Sequence, residues 1–219
     1  MKTTLATMSL ALGVAVAPGT AQNRTPIVSA LTATIQDTFV RPLAGGNAIT
    51  KTVSGQFFRD TQGRTCIVRG QIMTIQDPAA KTTVVVDMSA KIARRFVAAQ
   101  SPSPGPSMGS VTGKQASQDL GTQVISGVSV KGMQFTAVLP PGAVGNLGPL
   151  TETSEVWRSD ELGLTVETKS TDPASGEHTQ IFTNIVTGAT VDPSLFSIPV
   201  GVQVVDVQPS SRSGSQQLR

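Results

Sequence analysis

The chain has 219 residues, of which 14% are charged, with a net charge of +3 and a mean hydropathy of +0.05. That length suits one ordinary domain once a leader is set aside, and the charge content, against about a quarter in an average globular domain, excludes a nucleic-acid binder built on massed Lys and Arg. A single cysteine, Cys66, and a single histidine, His178, exclude an intrachain disulfide and a metal site built on Cys or His clusters.

Met1 to Ala21 reads as a secretory signal peptide: Lys2 supplies the positive start, Leu5 to Val16 the apolar run, and Pro18-Gly19-Thr20-Ala21 the small residues before a cut between Ala21 and Gln22. The apolar run is too short to cross a bilayer, so no integral membrane span is expected after signal removal. No cysteine follows the cut to carry a lipid. The expected location is periplasmic or secreted.

From Gln22 to Asp206 the chain reads as a single all-β domain. Val53 to Arg59 and Arg64 to Arg69 flank the polar turn Asp60-Thr61-Gln62-Gly63, a hairpin pattern. Ile72 to Gln76 stops at Asp77-Pro78-Ala79-Ala80, where proline cannot continue a central strand. Thr82 to Asp87 is rich in β-branched residues, and Met88-Ser89-Ala90 turns into Lys91 to Val97. Short strands at near-even spacing predict an antiparallel meander that forms a curved sheet or half-barrel, with little helix. Residues 100–119 are Pro- and Ser-rich and predict a disordered insert.

Strand rhythm then resumes. Gly127 to Leu139 places Met133, Phe135, Ala137 and Leu139 on one face, Glu152 to Arg158 carries Trp157, and Leu164 to Ser170 alternates around Val166. Asp172-Pro173-Ala174-Ser175-Gly176 is a turn, after which Thr179, Ile181, Thr183 and Ile185 share a face. Asp192-Pro193-Ser194-Leu195-Phe196 predicts a single helical turn with Asp as cap and Pro first, its Leu-Phe pair plugging the core. Residues 207–219 are a polar tail expected to be disordered.

The segments Glu155 to Leu164, Ser170 to Pro173, Gly176-Glu177, Thr183 to Ile185 and Asp192 to Pro199, with Ile75 to Ala80 and Val86-Asp87, resemble a group of uncharacterised secreted bacterial β-rich proteins. More distantly, Ser194 to Gly201 resembles the closing segment of periplasmic lipoprotein carriers of the LolA type. This resemblance implies an incomplete barrel and brings no function from the nearer group. The helices that close the carrier cavity are not evident in this sequence.

Chemistry-bearing groupings are sparse. His178 could join Asp172 or Glu177 in a hydrolytic constellation, but no Gly-x-Ser-x-Gly elbow accompanies it. Carboxylate neighbours such as Asp160-Glu161 sit at strand ends rather than across a cleft. The Gly142 to Gly148 loop leads into a strand, whereas a phosphate cradle needs a helix N-terminus. No catalytic, cofactor or metal residues are assigned.

The favoured reading is a non-enzymatic envelope protein that binds a lipid or other hydrophobic ligand on the concave face of the sheet, with Met133, Phe135, Trp157, Val166 and Ile181 as candidate cavity lining. An interaction or assembly protein contacting another envelope protein is the alternative. A hydrolase has the least support.

Overall fold

The computed structural model describes residues 29–97, 114–173 and 175–207. The expected signal peptide with its Ala21/Gln22 cut, residues 100–113 of the insert and the tail beyond Val207 lie outside them. The strands are β1 (Leu31–Pro42), β2 (Ala48–Arg59), β3 (Thr65–Arg69), β4 (Ile72–Asp77), β5 (Thr82–Asp87) and β6 (Ile92–Val97). They continue with β7 (Lys114–Ile125), β8 (Val128–Leu139), β9 (Leu150–Ser159), β10 (Leu164–Asp172), β11 (Gly176–Thr187) and β12 (Gln203–Val207). Lys114 to Asp119 are therefore strand, not insert: their backbone pairs with Met133 to Val138.

Aspartate side chains fix several turns. In Asp77-Pro78-Ala79-Ala80-Lys81 and in Asp87-Met88-Ser89-Ala90-Lys91, the leading carboxylate accepts the Ala80 or Ala90 N–H at 2.9 Å, and the closing lysine takes a positive φ of 54°. Asp60 accepts the N–H groups of Gln62 and Arg64 in the same manner. These short acceptors compete with the strand ladder for backbone donors and so end each strand where they occur.

All twelve strands form one open sheet in the order β12-β6-β5-β4-β3-β2-β1-β11-β10-β9-β8-β7. The two halves of the chain are stitched together where β1 lies between β2 and β11. Every adjacent pair is antiparallel except β12 with β6. That exception follows from the crossing segment between β11 and β12, since parallel neighbours need a crossover connection.

Register sorts the side chains onto two faces. Along β1, Leu31, Ala33, Ile35, Asp37 and Phe39 stand beside Arg59, Phe57, Gly55, Val53 and Lys51 of β2. Phe182, Gln180 and His178 of β11 stand beside Ile35, Asp37 and Phe39 on this same side, the Phe39 face. One core cluster joins Leu31, Ala33, Ile35, Phe57 and Phe182 with Val130, Trp157 and Val166.

The second cluster, Cys66, Ile75, Val84, Val86, Ala93 and Phe196, lies on the opposite side. Cys66 pairs with Phe58 and Ile75, one residue out of step with Phe57. This Cys66 face is covered by the segment from Val191 to Val202. A 3-10 turn at Pro193–Phe196 anchors the segment, with Pro first, the Asp192 side chain accepting the Ser194 N–H at 2.9 Å, and Phe196 buried. The expected helical turn and its plugging role are both present. Burial pushes the Cys66 thiol up to about 11, leaving it a packing group rather than a nucleophile.

Candidate functional site

The end of the sheet at which β1 finishes and β11 begins carries a recess of about 370 Å³. Its lining includes Phe39, Arg41, Ile49, Lys51, Ser170 and His178. Phe39 and His178 are direct cross-strand partners, and their rings stack with centroids 4.4 Å apart and planes 6° from parallel. Together they make a flat platform that lines the recess. Gly176 permits the close approach of β1 there: its φ is +98°, and a Cβ would lie 2.2 Å from the Val40 carbonyl oxygen.

Beneath the platform, Asp37 forms a polar layer between the recess and the first core cluster. It is buried and takes Arg69 Nη2 at 2.7 Å, Gln180 Nε2 at 2.8 Å and His178 Nε2 at 3.2 Å. Arg69 sits on β3, two strands from Asp37, and reaches it across β2 over Gly55. A Cβ on Gly55 would stand 2.6 Å from the Arg69 Cγ, so that glycine is the gap through which the guanidinium passes. Burial by itself raises the Asp37 carboxyl, but the hydrogen bonds from Gln180 and His178 and the adjacent Arg69 guanidinium outweigh it and hold it below the ordinary carboxylate range.

This layer orients a ring. The Asp37 contact fixes the His178 imidazole edge, and stacking fixes its plane. The Ser170 hydroxyl bonds to the His178 backbone carbonyl at 3.5 Å rather than to its ring. The carboxylate at the His178 ring is Asp37, 141 residues away, a partner that the sequence did not suggest.

Asp37→Asn is expected to cost about 1–3 kcal/mol, because the Arg69 charge loses its partner in a half-buried setting. The sign of the pH effect follows from the lowered carboxyl. Asp37 contributes stability that is complete above its unfolded value near pH 4 and is lost as pH falls through the folded value. Chemical denaturation from pH 7 to pH 2 should show the wild-type advantage over Asp37→Asn shrinking only below about pH 4.

The candidate lining residues separate. Met133 pairs through Val156 and Thr168 to Gln180, and Phe135 through Ser154 and Ser170 to His178, which sets both on the Phe39 face. Met133 is exposed and Phe135 half-buried. Trp157 and Val166 are buried in the first core cluster. Ile181 pairs with Gln36 and Glu167, on the other side of β11 from His178 and Gln180. Sequence reasoning missed Phe39, Asp37 and Arg69. The alternation Leu31-Ala33-Ile35-Asp37-Phe39 was the available signal for a strand bearing a buried carboxylate.

No known protein family matches the chain, and no curated protein matches it. Among solved structures, an uncharacterized conserved protein from Thermus thermophilus is 9% identical with a TM-score of 0.48, covering 83% of this chain and 93% of that one. MucB in complex with MucA(peri) is 12% identical with a TM-score of 0.49, covering 83% of this chain and 58% of that one. A LolA superfamily protein from Nitrosomonas europaea is 8% identical with a TM-score of 0.38, covering 78% of this chain and 90% of that one. None of these three likenesses reaches a TM-score of 0.5.

Proposed function

We propose that the protein is an exported, non-enzymatic component of the bacterial envelope that binds a hydrophobic ligand or lipid, with the Phe39 face as the concave side of the sheet. The observation that carries this reading is the recess lined by the Phe39–His178 stack. Its size, near the lower end of the range for small-molecule sites, suits one acyl chain or a compact lipophile rather than a multi-chain lipid. Exposed Phe39 and Ile49 gain from leaving water, and Met133 and Phe135 add apolar side chains farther across the same face, beyond Ser170 and Ser154. The leader sequence supports export.

Native mass spectrometry of the protein from Gln22 onward, isolated from its own envelope fraction, tests this. A discrete added mass that organic extraction removes is expected from the wild type and not from Phe39→Asp, provided both unfold at similar temperatures. A bare monomer mass from the wild type, isolated without detergent, would overturn the reading.

A further inference from the structure

The antiparallel register brings the β1–β2 and β8–β9 connections to the same end of the sheet, on either side of the β10–β11 turn. The recess opens at this end. Both connections hold apolar side chains in water: Leu43 on one, with Ile49 beside it at the start of β2, and Val144 and Leu147 on the other, with Leu147 fully exposed.

Neither connection is a loose tip. Leu43 N–H donates to the Asn47 carbonyl at 2.7 Å, and Asn47 Oδ1 accepts the Ala48 N–H at 2.8 Å. Gly142 N–H donates to the Asn146 carbonyl at 2.7 Å, the same five-residue closure. The Asn146 side chain accepts from Val144 N–H and donates to the Pro140 and Gly148 carbonyls. Each loop therefore commits an asparagine to satisfying its own backbone while it points leucine outward.

That combination fits a lipid surface better than a protein partner. A loop entering the acyl boundary finds no water or facing backbone to pair with, and must satisfy its polar groups internally, whereas a protein partner could supply them. Arg41, paired with Ile49, and Lys51, paired with Phe39, have no ion-pair partner among the described residues and stand on β1 and β2 behind the tips. The acids of this end, Glu152, Asp172 and Glu177, bring the local charge near balance, so apolar insertion rather than net attraction supplies the affinity. Among the described residues no helix is long and apolar enough to cross a membrane.

We infer that the Leu43 and Leu147 loops dock this end of the sheet onto a lipid bilayer, placing the mouth of the recess against the membrane surface. The inference does not depend on the recess being filled.

Flotation of the purified protein with mixed phosphatidylcholine–phosphatidylglycerol vesicles tests it. The wild type is expected to rise with the vesicles, and the Leu43→Ser/Leu147→Ser double variant to lose about tenfold or more in partitioning. Unchanged Trp157 emission shows that the variant remains folded. Failure of the wild type to float, or equal flotation of the double variant, overturns the inference. So does a protein cross-link that the double variant abolishes while the wild type ignores vesicles. Ligand retention by mass spectrometry is read separately, so either idea can fail alone.

Discussion

A chain ending at Gly188 is expected to fail to give a soluble, cooperatively folding domain. The truncation removes Val191, Leu195, Phe196, Ile198 and Val202, which cover Cys66, Ile75, Val84, Val86 and Ala93 on the Cys66 face. Those five side chains are at most 7% exposed in the intact protein. Uncovering them forfeits on the order of 1.5–3 kcal/mol for each of the larger ones, a sum comparable to the whole stability of a domain. It also removes β12 and leaves β6 as a bare edge open to pairing with other chains. Size-exclusion chromatography and thermal unfolding decide the matter: a monomer with an unchanged Tm would show that the segment is dispensable. Phe196→Ala is the graded version, expected to cost about 3 kcal/mol.

Gly132→Val is expected to expel the Trp157 ring and cost about 3 kcal/mol. Gly132 and Trp157 are direct cross-strand partners on β8 and β9, and the indole lies over the glycine. A Cβ there would stand 2.4 Å from Trp157 Cζ3 and 2.6 Å from Cε3 and Cη2, all ring carbons that cannot bend away. Trp157 is 9% exposed, so displacing it opens the cluster it shares with Val130 and Val166. The chain has one Trp and no Tyr, which makes intrinsic emission a clean reporter. The variant should emit further to the red and melt earlier. Native-like emission with an unchanged Tm would mean that the strands can part enough to admit the side chain.

The local parts of this fold were legible. Asp60, Asp77 and Asp87 marked strand ends because each carboxylate captures backbone N–H groups within its own turn. Asp192-Pro193 marked the 3-10 turn for the same kind of reason. Thr82 to Asp87 was a strand on β-branching alone. What sequence pattern did not supply was partnership at a distance. The pairing of β1 with β11, and with it the Asp37–His178 contact, depends on how the whole meander folds back, and no local periodicity encodes that. Phe57 and Phe58 are adjacent, yet one belongs to the first cluster and the other packs against the second. A rule with one inward face cannot read such a strand. Lys114 to Asp119 looked like linker because its residues are mostly polar, which is also the composition of an exposed edge strand.

The place where β1 sits has a consequence for the order in which the molecule can be assembled. Its first neighbour, β2, emerges at once during synthesis, while its second, β11, follows more than a hundred residues later. Until then the β1 edge has unpaired backbone groups and a row of apolar side chains awaiting Phe182. The ladder that joins the two halves, β1 with β11, closes late, and only the β12–β6 ladder follows it along the chain. High contact order of this kind slows folding and lengthens exposure to aggregation. The central strand thus stays incomplete until β11 arrives, and for most of its synthesis the chain holds no complete sheet.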